Sequence, residues 1–291
     1  MAIIPSFFLD AVVALGVDIG NGQKHWVGTG FLVGRKEKDY SGQSTIYIIT
    51  NKHVVKNQKL LYVRFNNVGS LGVKDLRLFL ENQNIYYYSE HPNPHVDIVA
   101  VQISPQVILD NHLSLSFFDE DEHTLTLEQM RATGVDEGGL VYALGFPMNL
   151  VNDAVKAPVC RMGCISRVTD AFLAGQSAIS FLVDAQTFPG NSGGPIISRP
   201  EHIAISNTPF NDTANLIGIL SAYIPYRDTL VSQQTGQSVM IREENSGLTI
   251  VHPVDRIKEV IEMEWWRNEQ IKMSQQSQSS LPMTQYKGVS V

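Results

Sequence analysis

Cysteine is scarce in this chain of 291 residues, which contains only Cys160 and Cys164. On a β-strand, residues at this spacing share a face but lie about 13 Å apart, which is too far for a disulfide bond. The surrounding segment also offers too few ligands for a tetrahedral zinc site. We therefore expect two buried free thiols, in keeping with a reducing compartment.

The sequence also lacks long apolar runs and any excess of basic residues. No run approaches the ~20 residues that span a bilayer. No Lys or Arg precedes Lys24, whereas a signal peptide begins with positive charge. We accordingly expect a cytoplasmic protein without membrane attachment. The formal net charge is −7 and residues 119–122 are all acidic, so we expect no nucleic-acid partner, because phosphate recognition needs clustered Lys and Arg.

Short β-type runs separated by turn residues fill most of the chain. In the first half they have the pattern of a small antiparallel barrel or sandwich, and they lie at residues 11–17, 25–33, 45–50, 61–65, 85–88 and 96–103. A second set within residues 138–252 repeats this pattern. Hydrophobic residues make up 43% of the chain, enough for a sizeable core. We predict an all-β protein with two halves, residues 1–110 and 138–252, joined by a linker over 111–137.

The pattern becomes helical from residue 253. Apolar residues recur at steps of three and four from Val254 to Trp265, which predicts a helix over residues 253–273 that covers a barrel. The pair Trp265-Trp266 could instead mark a partner surface. Residues 274–291 begin with a Ser/Gln-rich run of low apolar content, which predicts a disordered tail.

The most informative stretch is Gly190-Asn191-Ser192-Gly193-Gly194-Pro195. A catalytic serine needs a base that takes its proton and donors that hold the oxyanion it creates. Gly190 has no Cβ, so its N–H can turn inward beside that of Ser192. The same residue types are also common in an ordinary glycine-rich turn between two strands. The choice between the two interpretations depends on a histidine and a carboxylate elsewhere in the chain.

Both groups are available at the edges of β runs. His53 follows one apolar strand and Asp97 opens another. A partly buried carboxylate needs a partner, and Asp97 would fix the tautomer of His53 whose other nitrogen faces Ser192. We interpret the three residues as a candidate His-Asp-Ser site. An alternative takes His91, His95 and Asp97 as metal ligands.

Five blocks of the chain, read together, resemble those of trypsin-like serine peptidases, with the HtrA/Deg group as the nearest branch. They lie at residues 28–33, 49–55, 97–101, 143–147 and 184–195. The resemblance implies a chymotrypsin-type fold of two antiparallel β-barrels, with the active site between them. It also implies cleavage of protein or peptide substrates through an acyl-enzyme, without metal or cofactor.

Carried over by position, the resemblance makes His53 the general base, Asp97 its orienting carboxylate and Ser192 the nucleophile. The N–H groups of Gly190 and Ser192 match the oxyanion hole. Further positions match the substrate pocket of the family, and these are Gln186, Thr187, Ser221, Ala222 and Tyr223.

Three departures from the family pattern affect the expected function. We expect no PDZ-like domain after the peptidase-like region, because the residues that follow it have the pattern of a helix and a tail. Asn191 replaces the aspartate that pairs with a newly cut amino terminus, so we expect control by a partner protein or by loop ordering rather than by zymogen cleavage. Gln186 is uncharged and Tyr223 narrows the entrance, so we expect small or medium uncharged side chains in the pocket. The alternative function is an inactive double-barrel scaffold that binds peptides along an exposed strand edge.

Overall fold

The computed structural model describes residues 4–37, 43–83, 85–201, 209, 211–231, 233–235 and 238–279. Within these ranges β-strands dominate. They form an N-terminal sheet and a C-terminal barrel, and a long C-terminal helix packs against both.

The N-terminal half begins with helix α1 (Ser6–Ala11) and continues as an antiparallel sheet. Its strands are β1 (Val12–Gly20), β2 (Gln23–Lys36), β3 (Ser44–Thr50), β4 (Leu60–Asn66), β5 (Val73–Phe79), β6 (Glu81–Asn82), β7 (Ile85–Tyr86), β8 (Ser89–Glu90) and β9 (Val99–Ile103). Helix α2 (Lys52–Val55) follows β3, and α3 (Pro105–Asp110) follows β9. The main sheet has the order β5-β4-β1-β2-β3-β9-β8, and β6 pairs with β7 separately. Among the described residues, the end strands β5 and β8 do not pair with each other.

The C-terminal half closes completely. Strands β11 (Leu140–Gly145), β12 (Val159–Arg167), β13 (Phe181–Asp184), β14 (Pro195–Ser198), β15 (Asn215–Val231) and β16 (Ser238–Pro253) form a barrel in the order β11-β12-β13-β16-β15-β14. Helix α5 (Thr169–Ala174) lies between β12 and β13, and 3₁₀ turns occupy Pro147–Asn149 and Gly175–Ser177. Beyond the barrel, β15 and β16 continue as a two-stranded arm.

Strand β3 shows why the two halves stay together. Its residues Ile46 and Ile48 face a core inside the N-terminal half, whereas Tyr47 and Ile49 face a core that also contains Phe146 and other side chains of the barrel. Alternate strand residues point to opposite faces, so both faces of β3 are buried. The strand therefore reads as an unbroken apolar run, and burial on its second face stabilises the junction between the halves.

The observed architecture confirms the predicted fold class, which is mostly β with two sheets of chymotrypsin type and a C-terminal helix. The segment predicted as a linker is more structured than expected. It contains β10 (Phe118–Asp119), which pairs in parallel with β2, and α4 (Leu127–Thr133). A capping box starts α4, in which Thr126 and Gln129 each accept the other's backbone N–H. This Thr-x-x-Gln signature predicts a helix start, and the sequence-based expectation had overlooked it.

Helix α6 (Val254–Ser279) extends beyond the predicted end at residue 273. The additional turn is rich in Ser and Gln and contains neither Gly nor Pro, so it has no residue that would end a helix. The structure thus places residues 274–279 in the helix, and the rest of the predicted tail lies outside the described residues. Val254, Ile257, Val260 and Ile261 are buried in the shared core, as a covering helix requires. Trp265 packs partly against this core and Trp266 is exposed.

Candidate active site

His53 and Asp97 meet at the ends of two neighbouring strands. His53 lies in α2, directly after β3, and Asp97 lies just before β9, which pairs with β3 through Thr50 and Val99. The Nδ1 atom of His53 is 2.6 Å from Oδ2 of Asp97. The backbone N–H of His53 also donates to Oδ1, at 3.2 Å. Strand register thus determines the distance between the ring and the carboxylate.

Asp97 is held on every side by hydrogen bonds. Ser221 Oγ donates to its Oδ2 at 3.2 Å, and Asn51 Nδ2 donates to its backbone carbonyl at 2.6 Å. The backbone N–H of Asp97 donates to Nε2 of His252, a buried residue of the C-terminal half, at 3.0 Å. Burial alone would raise the pKa of the Asp97 carboxyl, but hydrogen bonds from His53 and Ser221 outweigh it and hold this pKa below its usual value. The carboxylate is therefore ionised at neutral pH and fixes a proton on Nδ1 of His53.

Ser192 lies on the other side of the junction. Its Oγ is 3.4 Å from the carbonyl oxygen of Ser221. Among the described residues, no hydrogen bond joins Ser192 Oγ to the His53 ring. The Ser192 carbonyl accepts the N–H of Thr29 at 2.9 Å, which ties the serine to β2.

The residues before Ser192 form a tight turn. Asn191 N–H donates to the carbonyl of Phe188 at 3.0 Å, with Pro189 and Gly190 in the two central positions. Gly190 has φ +98°. Pro in the first central position and Gly with positive φ in the second are characteristic of a type II turn. A Cβ at Gly190 would lie 2.3 Å from the carbonyl oxygen of Phe146, so only glycine fits there.

The orientation of the Pro189–Gly190 peptide is set from outside the turn. The carbonyl of Pro189 accepts the N–H of Met148 at 2.7 Å. The C=O and N–H of one trans peptide unit point in opposite directions, so the Gly190 N–H points away from Met148. Within the described part of the chain, the N–H groups of Gly190 and Ser192 have no hydrogen-bond acceptor. These two donors are the ones an oxyanion hole at this serine would use.

Thr29 of β2 connects the N-terminal half to this turn. Its buried Oγ1 donates to the carbonyl of Gly190 at 2.6 Å and accepts the N–H of Phe146 at 3.0 Å. Its carbonyl accepts the hydroxyl of Thr50 at 2.7 Å. Thr29 therefore holds the last peptide of the turn from the opposite half of the molecule.

Asn191 is fully buried and contributes no charge. Its Oδ1 accepts the N–H of Phe188 at 3.1 Å, which closes the turn a second time. Its Nδ2 is buried and has no hydrogen-bond partner among the described residues. The side chain therefore supports the turn as a neutral amide, and it does not require a cationic partner.

The predicted pocket residues divide between the surface and the interior. Ala222 and Tyr223 are exposed on β15, beside the nearly buried Ser221. Thr187 is buried, with its Oγ1 3.0 Å from Oγ1 of Thr249 on β16. Gln186 is exposed rather than enclosed at the base of a pocket. Its role in specificity stays a prediction.

Two of the three alternative metal ligands, His91 and Asp97, have other partners. The Nε2 atom of His91 is 2.7 Å from Glu259 of α6, and its Nδ1 accepts the N–H of Asn93. Asp97 pairs with His53, as described above. In the ranges that the structure describes, no three His, Cys, Asp or Glu side chains are grouped so that they could hold a metal ion.

The cysteines differ from expectation in their burial. Both are free, but Cys160 is exposed and Cys164 is half-buried. The prediction of buried thiols is wrong because much of β12 is open to solvent.

Several residues that shape the site were not recognised in the sequence. Thr29 lies within the resembling block 28–33, where its Gly-Thr-Gly setting was the available signal. Asn51 likewise lies within the block 49–55. Met148 and His252 gave no signal, because their contacts join residues far apart in the chain.

Two β-sheet units with a histidine–aspartate pair on one and a serine turn on the other define the class of chymotrypsin-type peptidase folds. Residues 28–203 match the family model of the trypsin-like peptidase domain, and the chain belongs to this family. The resemblance to trypsin-like peptidases is thereby confirmed, whereas the finer assignment to the HtrA/Deg group stays a prediction.

Other comparisons add little. No curated protein matches the chain. Among solved structures, the apo form of the MamO protease domain from Magnetospirillum magneticum is similar at 18% sequence identity, with a TM-score of 0.45. The match covers 87% of this chain and 96% of that one. No helix within the described ranges is long and apolar enough to cross a membrane.

Proposed function

We propose that the protein is a serine endopeptidase with His53 as general base, Asp97 as its orienting group and Ser192 as nucleophile. The observation that supports this most directly is the 2.6 Å contact between His53 Nδ1 and an ionised Asp97. This contact leaves Nε2 of His53 as the proton acceptor, on the ring edge away from Asp97.

The proposed reaction has two halves. Ser192 Oγ attacks the substrate carbonyl carbon while its proton moves to His53 Nε2, and the Gly190 and Ser192 N–H groups hold the oxyanion. The imidazolium then gives the proton to the amine as the peptide C–N bond breaks, which leaves an acyl-enzyme. A water molecule loses a proton to His53, attacks the ester carbonyl and releases the acid, and the proton returns to Ser192.

The proposed substrate is an extended peptide that adds to the edge of β15. Ala222 and Tyr223 are exposed along this edge, directly after Ser221. Backbone pairing to an exposed strand gives affinity that is largely independent of sequence. Because the candidate pocket residue Gln186 is neutral, we propose a preference for small or medium uncharged side chains. Rapid cleavage restricted to Arg or Lys sites in a peptide library would contradict this preference.

A peptide-binding scaffold without catalysis is the second candidate. It is favoured by one observation, the approach of Ser192 Oγ to the carbonyl of Ser221 rather than to His53. We favour the enzyme, because a rotation about the Cα–Cβ bond of Ser192 redirects the hydroxyl, and catalytic hydrogen bonds often tighten only in the substrate complex.

Labelling with a fluorophosphonate probe distinguishes the two candidates. We expect the wild-type chain to form an adduct on Ser192, identified by peptide mass spectrometry, and we expect Ser192→Ala to show neither the adduct nor turnover. A chelator should change neither result. A wild-type chain that binds peptides but is not labelled at Ser192 by the probe would favour the scaffold. Loss of activity with chelator would support a metal-dependent mechanism instead.

We also propose that a partner or loop ordering controls the enzyme in the cytoplasm. The neutral Asn191, which uses its Oδ1 within the turn, supports control without zymogen cleavage. Full activity of the purified chain on unfolded casein, without any addition, would contradict partner control.

A further inference from the structure

The 3₁₀ turn Pro147–Asn149 has an unusual backbone. Met148 has φ +51° and ψ +34°, and Asn149 has φ +61°. Left-handed conformations are costly for residues other than Gly, although Asn tolerates them better than most. Two such residues in succession persist only where neighbouring groups hold them in place.

The Asn149 side chain provides this support, and both of its partners belong to the N-terminal half. Its Oδ1 accepts the backbone N–H of Trp26 at 2.9 Å. Its Nδ2 lies 2.9 Å from Nδ1 of His25, which therefore acts as the acceptor. Both partners are on β2, close to the β1–β2 turn. The side chain thus pins the 3₁₀ turn to the opposite half of the molecule.

One further hydrogen bond connects this side chain's support to the candidate oxyanion hole. The neighbour of Asn149, Met148, donates the N–H that holds the Pro189 carbonyl at 2.7 Å. Type II and type I turns differ in the orientation of their central peptide. If the Met148 N–H moved away, the Pro189–Gly190 peptide would be free to rotate. Its carbonyl, rather than the Gly190 N–H, would then face the substrate oxygen.

We propose that Asn149 is a positioning residue for the oxyanion hole, which acts through the Met148 N–H and couples that hole to strand β2 of the N-terminal half. The proposal rests on the proposed peptidase function. It also identifies the contact between Asn149 and residues 25–26 of β2 as the place where a change in the N-terminal half would alter turnover.

The test compares three variants. Asn149→Gly keeps the left-handed backbone accessible but removes both side-chain hydrogen bonds. Asn149→Asp keeps an acceptor for the Trp26 N–H and loses the donor to His25. Asn21→Gly is the matched control, because Asn21 also has positive φ, at +54°, but lies in the β1–β2 turn.

For Asn149→Gly we expect kcat to fall about tenfold to hundredfold with KM changed less than about twofold, because the hole acts on the transition state. Affinity for a peptide boronate, which mimics the tetrahedral intermediate, should fall in parallel with kcat/KM. Asn149→Asp should lose less, and Asn21→Gly should match the wild type. Thermal unfolding of each variant verifies that the fold is intact.

The outcomes separate the two proposals. A wild-type chain that neither turns over nor labels at Ser192 contradicts the peptidase function itself. An active wild type with an equally active Asn149→Gly variant contradicts only the role of Asn149. A variant whose boronate affinity is unchanged while kcat falls would also contradict it, because the loss would then not arise at the hole.

Discussion

The two halves of the molecule supply different parts of the candidate site. Each half also forms hydrogen bonds that fix the part supplied by the other half. The N-terminal sheet contributes His53 and Asp97 at the ends of paired strands, and the barrel braces Asp97 through Ser221 and His252. The barrel contributes the turn before Ser192, and the sheet braces that turn through Thr29. Strand pairing positions the first part, whereas the second depends on a few hydrogen bonds between halves.

The pair His53 and Asp97 should produce the largest loss of activity when it is altered. Asp97→Asn replaces a carboxylate that accepts from His53 and Ser221 with an amide that can present N–H groups to the ring, which favours the wrong tautomer. In serine peptidases with this arrangement the change costs about 10⁴ in kcat, and we expect a similar loss here. Steady-state kinetics with a peptide substrate measure it.

Asp110→Asn serves as the control, since Asp110 ends α3 and its carboxylate accepts a hydrogen bond from Gln106 of the same helix. This variant should retain wild-type kinetics. A loss smaller than about tenfold in Asp97→Asn would contradict the role proposed for the carboxylate.

The turn before Ser192 should lose both stability and activity when the hydroxyl of Thr29, in the other half, is removed. Thr29→Val preserves shape but leaves the Gly190 carbonyl and the Phe146 N–H without their partner. Each buried group left unpaired costs about 1–3 kcal/mol, so urea unfolding should show a loss of about 2–6 kcal/mol for the two groups. Because the Gly190 N–H is a proposed oxyanion donor, kcat should also fall, by about tenfold or more.

Thr29→Ser keeps the hydroxyl and controls for the altered methyl group. We expect it to retain most of the activity and stability of the wild type. If Thr29→Val were destabilised but fully active, the bond to Gly190 would stabilise the junction of the halves without positioning the turn.

The same contrast explains what could be predicted from the sequence. Alternating and unbroken apolar runs reflect burial along a strand, so the β class and the strands next to His53 and Asp97 could be predicted from short stretches of sequence. The Gly-Asn-Ser-Gly-Gly motif could be recognised from a short stretch as well. The bracing by Thr29, Met148 and His252 could not, because each hydrogen bond joins segments more than a hundred residues apart or separate loops. The exposure of Gln186 likewise depends on how residues 185–187 pack against β16.

The hydrogen bond from Asp97 to His252 of the barrel should produce the smallest effect when it is altered. This effect is on stability, and it should depend on pH. His252 accepts the Asp97 N–H at Nε2 and lies 2.8 Å from the carbonyl of Ile179 through Nδ1, so the neutral ring makes both contacts. Burial lowers the pKa of His252, with Asp97, His91 and Lys52 as the ionisable groups facing it. Below the ordinary histidine pKa of about 6.5 the unfolded chain binds a proton that the folded chain does not, so stability falls as the pH falls.

The variant His252→Gln keeps an acceptor and a donor at similar spacing but does not titrate. Its unfolding free energy, measured in urea at pH 7.5 and pH 5, should therefore decrease less than that of the wild type. The difference is bounded by about 1.4 kcal/mol per pH unit. Because Asp97 stays braced, kcat at pH 7.5 should remain within a fewfold of wild type. Equal pH dependence in both proteins would mean that His252 does not titrate differently on folding. A large loss of kcat at pH 7.5 with unchanged stability would mean that the imidazole itself, rather than any acceptor at that place, is needed to hold Asp97 against His53.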